Sequence, residues 1–373
     1  MFHRLRRATK ILFISANILF ALFLIVGCYA YTFNPEKYWF AGLFALATFF
    51  SLVILFLFFL FWLFAKPVLA LISTVAVAIC ISPLAEVVKF SLTPKFSIAK
   101  HPQNIRVMSW NVEHFEIISH KKEPWKKQEM INIVRDIDPD IAFFQEMVAS
   151  DSHPSAINYI PDLIKDLKLK QYHYSYNPKL DFDNNHHFGL MILSKYPIIN
   201  KHTIEFSPFD YNSTFQFADI VRGDDTLRVF NIHLQSLKFS KTNMNFIEKP
   251  AMSNQNDFTQ SKNLLGKLKT GFLKRALQSN RIKNYINQSP YPVIVCGDFN
   301  DVPNSYAYHT IGDGLINAFT AKGTGIGRTF YAISPTLRID NIFVSKNFNV
   351  EQYMRLKRKL SDHYPITADL FLK

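Results

Sequence analysis

Uncharged apolar runs dominate the first ninety residues of the chain. Residues 11–33 contain no charged residue, and a second run at 39–65 is dense in phenylalanine and leucine on every helical face. About 20 apolar residues suffice for a helix to cross a bilayer, and a helix that is apolar all round is typical of a span. A third run at 68–88 contains several polar residues. The pattern predicts a transmembrane anchor of about three helices within residues 1–90.

Basic residues before the first apolar run predict how this anchor is inserted. Arg4, Arg6, Arg7 and Lys10 precede it. Positive residues beside a span favour the cytoplasmic side of the membrane. With three crossings the rest of the chain then lies outside the cytoplasm, and we expect an integral protein of a bacterial inner membrane. If the third segment lies along the membrane surface instead, the orientation reverses.

After the anchor, the pattern changes to short alternating elements. Prolines at 94 and 102 indicate a linker at 91–103. Strands are predicted at 105–110, 141–145, 189–194, 226–232, 293–297 and 338–345, and helices at 125–136, 157–167 and 263–286. Strands that alternate with helices predict an α/β domain at 104–373 whose helices cover the faces of its sheets.

Charge and cysteine content add two constraints. Residues 1–90 carry seven Lys/Arg and two Asp/Glu, which leaves 35 basic and 27 acidic residues and a net charge of +8 for the remaining chain. A moderately basic body suits an anionic substrate or surface, although a solvated basic face is the simpler explanation. Cys28, Cys80 and Cys296 lie in apolar segments without metal-ligand spacing, so we expect buried thiols.

Polar side chains follow the ends of the predicted strands, where an apolar core would exclude them. They are Asn111, Gln145-Glu146, His233, Asp298 with Asn300, Asp340, and Asp362-His363. Asp298 and Asn300 lie two residues apart, so an extended backbone would direct both to the same side. Each residue alone has a structural explanation, such as a turn cap or a surface ion pair. Only their combination indicates a functional site.

Together and in this order, these elements resemble the endonuclease/exonuclease/phosphatase superfamily, which includes deoxyribonuclease I, exonuclease III, neutral sphingomyelinases and inositol polyphosphate 5-phosphatases. The most specific motifs are Gly-Asp-Phe-Asn at 297–300 and Ser-Asp-His-Tyr-Pro-Ile at 361–366. The resemblance covers residues 105–372. It implies a four-layer α/β/β/α sandwich of the deoxyribonuclease I-like type, with the site at one rim of the paired sheets.

Cleavage of a phosphodiester requires a divalent cation, because the negative phosphate otherwise repels a nucleophile. We expect Mg²⁺ or Mn²⁺, bound first by Glu146, with Asn111 beside it as a neutral oxygen ligand. Asp362 would support this ion or a second one. All three residues follow predicted strands or lie in the second motif.

The resemblance implies catalytic roles for five further residues. Asp298 would orient and deprotonate the attacking water, while Asn300 would hold a phosphate oxygen as charge grows there. His363 would contact the phosphate from the other side, with its ring fixed by Asp340. His233 would stabilise or protonate the leaving oxygen.

Arg328 and Thr329 follow glycines at 325 and 327 and are candidates for substrate binding. Glycine permits a close approach of the backbone, and an arginine can form paired hydrogen bonds with a phosphate. A plain glycine turn with a surface arginine is equally consistent with the pattern.

These features predict a membrane-anchored, metal-dependent phosphodiesterase, with a nuclease-type hydrolase as the preferred assignment. A sphingomyelinase-like or phosphoinositide-type lipid phosphoesterase is the alternative, because a bilayer is adjacent. A tethered protein that uses the fold only for binding is a third interpretation, which the filled catalytic positions speak against. The expected partners are a phosphodiester substrate, either nucleic acid or a phospholipid head group, and the bilayer around the N-terminal helices. The sequence indicates no protein partner.

Overall fold

The computed structural model describes residues 2–91, 96–115, 122–150, 160–167, 169–180, 186–206, 212, 214–248 and 255–373, so part of the predicted linker lies outside the described residues. The helices are α1 (Phe2–Cys28), α2 (Pro35–Tyr38), α3 (Ala41–Ala65), α4 (Pro67–Ile79), α5 (Ile81–Val87), α6 (Trp125–Ile137), α7 (Ile160–Leu167), α8 (Lys241–Glu248), α9 (Gln255–Asn287), α10 (Tyr306–Gly312) and α11 (Ala318–Lys322). The strands are β1 (Ile105–Asn111), β2 (Ile141–Ala149), β3 (Gln171–Tyr176), β4 (His187–Ser194), β5 (Ile198–Glu205), β6 (Thr214–Arg222), β7 (Asp225–His233), β8 (Val293–Asp298), β9 (Ile316–Asn317), β10 (Asp340–Val344), β11 (Phe348–Arg355) and β12 (Ile366–Leu372).

Two mixed six-stranded sheets pack against each other in the domain that follows the anchor. One sheet has the order β11-β12-β1-β2-β4-β3, and the other has the order β5-β6-β7-β8-β10-β9. Helices α6 and α7 pack on the outer face of the first sheet, whereas α9 and α10 pack on the outer face of the second. This arrangement confirms the predicted α/β/β/α sandwich.

Strand β1 shows how the sequence forms these layers. Ile105 and Val107 point into the core between the sheets, while Met108 and Trp110 pack in the core beneath α6. This alternation follows from the two-residue period of a strand. Because helices cover the outer faces, both sides of the strand are buried, and all seven of its residues are buried, including the polar Arg106, Ser109 and Asn111. The three cysteines are buried free thiols, as predicted.

The strand ends that carry polar residues meet at one rim of the sandwich. In the parallel pair β7 and β8, His233 lies opposite Asp298. In the antiparallel pair β8 and β10, Asp340 also lies opposite Asp298. In the parallel pair β1 and β2, Asn111 lies opposite Gln145. The end of β8 is therefore flanked on both sides by side chains capable of acid–base chemistry.

Three apolar segments form the N-terminal helical part of the chain, which is the predicted anchor. Within the described residues, Arg4–Cys28 and Ala41–Ala65 are each long and apolar enough to cross a membrane. Helices α4 and α5 taken together are also long and apolar enough to cross a membrane, but the two helices are bent by 70° relative to each other. Pro83 has no N–H to donate to the carbonyl oxygen of Ile79, and the Tyr29 hydroxyl donates to that oxygen at 2.8 Å instead. The predicted third span is therefore a broken helix whose open carbonyl is satisfied by another segment.

The anchor and the sandwich are joined by buried polar contacts. Asn304, which follows β8, places Nδ2 2.6 Å from the Gly27 carbonyl oxygen and 2.6 Å from Thr48 Oγ1. A Cβ on Gly27 would lie 2.5 Å from the Phe44 carbonyl oxygen, so glycine permits the close approach of α1 and α3. Arg338 donates to the carbonyl oxygen of Glu86 at the end of the third segment. The C-terminal ends of α1 and α5 and the N-terminal part of α3 thus all contact the sandwich.

We expect Asn304→Ala to lower the Tm of the full chain in detergent by several degrees. The substitution removes the buried donor shared by Gly27 and Thr48. Leaving a buried acceptor unsatisfied costs about 1–3 kcal/mol. Asn349→Ala, at an exposed position of β11, is the matched control and should leave the Tm unchanged. Equal Tm values for both variants would contradict a stabilising role for this contact.

Candidate active site

An irregularity in β2 positions Glu146. The register between β2 and β4 shifts between Phe144 and Met147, and Glu146 has a φ of 52°. A positive φ is uncommon for a residue other than glycine, and a bulge of this kind redirects a side chain. The Glu146 side chain is 23% exposed, in contrast to its buried neighbours in the strand. Its carboxylate therefore faces the open rim of the sheet.

A polar residue of the opposite sheet supports this bulge. Asn231 in β7 donates from Nδ2 to the carbonyl oxygens of Phe144 and Met191, each at 3.0 Å. These two residues form the last paired position before the register shifts. Asn231 also accepts a hydrogen bond of 2.7 Å from Gln145 Nε2. The bulge is thus held by a fully buried amide pair between the two sheets.

Close backbone contact at Gly297 positions Asp298. A Cβ at Gly297 would lie 1.9 Å from the Ile232 carbonyl oxygen, and Gly297 has a φ of 145°. Only glycine fits this position, since any side chain would push β7 and β8 apart. Asp298 is buried and accepts a hydrogen bond of 3.1 Å from Asn111 Nδ2. The strand pairing therefore delivers a buried carboxylate to the rim.

The chain turns immediately after Asp298, so the expectation of an extended backbone there was wrong. Asn300 has a φ of 51°, which is a left-handed conformation. Its backbone N–H donates to Asp298 Oδ1 at 2.8 Å, and its Nδ2 lies 3.3 Å from Asp298 Oδ2. The aspartate stabilises the turn through its own side chain, as aspartates often do. Asp298 and Asn300 converge, but through a turn and not through strand alternation.

His363 is held by a buried carboxylate. Its Nδ1 lies 2.8 Å from Asp340 Oδ2, while its Nε2 lies 3.7 Å from Asp298 Oδ2 and 3.8 Å from Asp362 Oδ1. Burial alone would lower the pKa of His363, but the Asp340, Asp298 and Asp362 carboxylates raise it well above its usual value. These carboxylates therefore favour the protonated form of the imidazole, whose Nε2 faces Asp298 and Asp362.

His233 lies between the carboxylates of Asp298 and Glu146. Its Nε2 is 3.5 Å from Asp298 Oδ2 and 3.7 Å from Glu146 Oε1. The ring is buried at the end of β7. It therefore bridges the carboxylate of β8 and the carboxylate of β2 across the rim.

Burial dominates the electrostatics of the acidic side chains. It raises the pKa of Asp298 to about 7, although the nearby His363 lowers it. Burial also raises the pKa of Glu146, against the effect of His114, which lowers it. Carboxylates that crowd together in a poorly solvated site resist ionisation. A bound cation would stabilise their ionised forms.

The residues present fit a divalent metal ion. Ligand atoms of Asp298, Asp340 and His363 all lie within 4.8 Å of one another. Asp340 Oδ1 is buried and has no hydrogen-bond partner within the described ranges. Glu146 adds a carboxylate next to the Asn111 side chain, whose hydrogen bond lowers the Glu146 pKa. Hard divalent cations prefer such oxygen donors.

Two residues of this site were not identified from the sequence. Glu113 Oε2 accepts a hydrogen bond of 2.9 Å from the Asp362 backbone N–H, and His114 Nε2 lies 3.8 Å from Glu146 Oε2. Both residues have a positive φ, at 44° and 63°. The sequence signal that could have identified them is their position two and three residues after Asn111, because the chain must turn at the rim where β1 ends.

The side chains of Arg328 and Thr329 form hydrogen bonds with nearby backbone groups. Thr329 is fully buried, and its Oγ1 accepts hydrogen bonds from the N–H groups of Ile339 at 2.9 Å and Asp340 at 3.1 Å. Arg328 donates from Nε to the Phe330 carbonyl oxygen at 3.1 Å. Thr329 thus fixes the start of β10, which carries Asp340. Substrate binding by these two residues stays a prediction.

A cavity of about 500 Å³ opens beside the acidic cluster. Its polar end is lined by Glu113, His114, Glu146, Asp298, Asn300, Asp362 and His363. Its other end is lined mainly by apolar side chains, among them Leu46, Leu237, Phe239, Met244, Ile333 and Leu337. The site is therefore a pocket with a charged end and an apolar end.

The chain is similar to several solved structures. The chain is similar to truncated Caenorhabditis elegans TDP2, with 18% identity over 72% of this chain and 97% of that chain and a TM-score of 0.46. It is also similar to an endonuclease/exonuclease/phosphatase from Beutenbergia cavernae DSM 12333, with 17% identity, 72% of each chain covered and a TM-score of 0.49. The catalytic domain of human Nocturnin with bound sulfate gives 17% identity over 73% of this chain and 94% of that chain, with a TM-score of 0.47. No curated protein matches the chain.

Family assignment rests on the sequence of the sandwich. Residues 108–363 match the Endonuclease/Exonuclease/phosphatase family, and residues 9–87 match a domain of unknown function. The first match spans more than half of the chain. The protein therefore belongs to the endonuclease/exonuclease/phosphatase family, whose members are hydrolases that act on phosphodiester bonds.

Thr329→Val should lower the free energy of unfolding by about 1–3 kcal/mol for each buried N–H that it leaves unsatisfied. Valine keeps the shape of threonine but cannot accept the hydrogen bonds of Ile339 and Asp340. Thr329→Ser keeps the acceptor and should restore most of the lost stability. Urea unfolding followed by tryptophan fluorescence would measure the difference, and equal midpoints for both variants would argue against this positioning role.

Proposed function

We propose that the chain is a membrane-anchored hydrolase that uses Mg²⁺ or Mn²⁺ to cleave phosphodiester bonds. The observation that carries the proposal is the convergence of Asp298 and the His363–Asp340 pair at the charged end of one cavity. A carboxylate able to accept a proton and an imidazolium able to bind an anion lie within 3.7 Å of each other there. Family membership supports the reaction class.

Glu146, Asn111 and Asp362 would hold the metal ion. When bound, the ion would neutralise the negative charge of the phosphate. Asn111 Nδ2 also donates to Asp298 at 3.1 Å, which leaves the side-chain oxygen of Asn111 as its possible ligand atom. The amide would therefore link the metal ligands to the catalytic carboxylate and set their spacing.

Asp298 would accept the proton of the attacking water. Hydrogen bonds from the Asn300 backbone N–H and from Asn111 fix its carboxylate, so it needs no reorientation during the reaction. Asn300 Nδ2 would donate to a non-bridging phosphate oxygen as negative charge grows there. In the structure this amide lies beside the Asp298 carboxylate, close to where the phosphate would lie.

The two histidines would act on the phosphate and on the leaving group. His363, fixed through Nδ1 by Asp340, would donate from Nε2 to a phosphate oxygen. His233 would donate to the leaving oxygen, since its Nε2 faces the carboxylates of both Asp298 and Glu146. Both rings are buried, which limits competition from water.

The arrangement of charge around the anchor supports an orientation with the sandwich outside the cytoplasm. Arg4, Arg6, Arg7 and Lys10 lie near the start of α1, and Lys66 joins α3 to α4. These positions are at the ends of the helices opposite to those that contact the sandwich. Positively charged residues beside membrane spans are enriched on the cytoplasmic side. We therefore infer that the active site faces the other side of the inner membrane.

Asp298→Asn and His363→Gln should each lower kcat by about 100-fold or more, because each removes a positioned proton acceptor or donor. The measurement is the release of p-nitrophenol from bis-p-nitrophenyl phosphate by the full chain in detergent. Asp313→Asn is the matched control, since its side chain is 82% exposed and lies outside the cavity lining. Turnover near the wild-type rate in either site variant would contradict the assignment.

Chelation should abolish the same reaction, and Mg²⁺ or Mn²⁺ should restore it. Glu146→Gln should raise the metal concentration required for half-maximal rate by at least tenfold, because it removes a charged oxygen ligand. Isothermal titration of the metal into each protein supplies a readout that does not depend on turnover. Unchanged metal affinity in Glu146→Gln would exclude Glu146 as a ligand.

A further inference from the structure

A transmembrane helix forms part of the wall of the active-site cavity. Leu46 of α3 lines the same cavity as Asp298 and His363. Leu46 packs with Leu337 of the sandwich around a small buried cluster that includes Ala45 of α3. The cavity is therefore closed on one side by the anchor, and its lining combines residues of both parts of the chain.

The position of Leu46 along α3 indicates the depth of this wall in a membrane. Helix α3 begins at Ala41, five residues before Leu46, so with a rise of about 1.5 Å per residue Leu46 lies roughly 7–8 Å into the helix. Tyr38, Trp39 and Phe40 precede the helix, and aromatic residues of this kind are typical of the membrane interface. The apolar end of the cavity thus lies near the boundary between head groups and acyl chains.

The lining beyond the charged end is suited to an apolar chain. Leu46, Leu237 and Phe239 contribute to it, and Ile333 and Leu337 lie on the sandwich side. These side chains are half-buried, so they keep apolar surface available within the cavity. Contact with a hydrocarbon chain is favourable at about 25 cal/mol per Å² of apolar surface removed from water. A ligand that fills the cavity therefore gains the most binding free energy if the part of it at this end is apolar.

The cavity lining offers few basic side chains for binding a polyanion such as a nucleic acid. Two of the described lining residues are Lys or Arg, namely Lys238 and Arg275. Arg275 is buried and forms an ion pair of 2.9 Å with Asp301 and a hydrogen bond of 3.0 Å to the Gln235 carbonyl oxygen. Its charge is thus compensated within the protein. Nucleic-acid sites instead combine rows of basic residues that follow successive phosphates.

We propose that the substrate is an amphiphilic phosphodiester drawn from the adjacent leaflet of the bilayer. This inference rests on the proposed function and specifies its substrate class, with lipids in place of the nucleic acid that the sequence favoured. The phosphate lies in the cavity beside Asp298 and His363, and the apolar chain lies along Leu46 and Leu337. Water attacks phosphorus, its proton passes to Asp298, and one P–O ester bond breaks. The leaving oxygen takes up a proton, which gives an alcohol and a phosphomonoester.

Two esters with the same leaving group test the inference on the full chain in nanodiscs. Methyl p-nitrophenyl phosphate and dodecyl p-nitrophenyl phosphate undergo the same cleavage and differ only in the chain. With Mg²⁺ present, we expect kcat/KM for the dodecyl ester to be at least tenfold higher than for the methyl ester. Leu46→Trp and Ala332→Trp narrow the cavity from α3 and from a loop of the sandwich, and each should reduce this preference at least fivefold.

The control separates a cavity effect from enrichment of the dodecyl ester in the bilayer. Leu57→Trp introduces the same side chain on α3 at a position that is 58% exposed and outside the cavity, and it should leave the preference unchanged. Ala332 is an exposed loop residue, so its variant does not depend on the tolerance of α3 to substitution. If both esters are cleaved equally, or if the preference survives both cavity variants, the inference is overturned while the hydrolase remains. If neither ester is cleaved with Mg²⁺ or Mn²⁺, the proposed function itself fails.

Discussion

The close approach of β7 and β8 at Gly297 is the constraint on which the site depends. A Cβ there would lie 1.9 Å from the Ile232 carbonyl oxygen, so the register of the two strands depends on the absence of a side chain. That register sets His233 beside Asp298 at the rim. The antiparallel partner β10 then brings Asp340, and with it His363, to the other flank. One glycine therefore sets the spacing of His233 and Asp298, and the pairing of β8 with β10 places Asp340 and His363 beside them.

Part of the fold follows from pattern, because buried strands and long apolar helices carry strong signals. β1, β4, β7, β8 and β10 were predicted close to their observed limits, β2 was predicted to end four residues too early, and the site residues at the strand ends were identified through two motifs. The strands β3, β5, β6, β9, β11 and β12 were not predicted. Among them, β5 is an edge strand with mostly exposed residues and no continuous apolar run. Edge strands are often polar in this way, which protects the sheet against pairing with other chains.

Other features could not be read from the sequence because they arise from contacts between distant segments. The bulge that directs Glu146 to the rim depends on Asn231, which belongs to the other sheet. Thr329 looked like a substrate contact after a glycine turn, yet its hydroxyl binds the backbone of β10. The bend of the third apolar segment was not predicted, and its open carbonyl is satisfied by Tyr29 from a distant segment. In each case a polar side chain satisfies the backbone at a break in regular structure, and only the tertiary fold supplies the partner.

The contact of Asn304 with α1 and α3 has a consequence for biosynthesis. Asn304 lies six residues after Asp298, and its amide is satisfied only when Gly27 and Thr48 are in place beside it. Leu46, two residues earlier on the same helix, lines the cavity. A newly made sandwich that has not yet met α1 and α3 would have neither a supported β8 loop nor a complete pocket wall. Under the proposed membrane insertion, the insertion of these helices and the assembly of the pocket are coupled, so chains that fail to insert would also lack a finished active site.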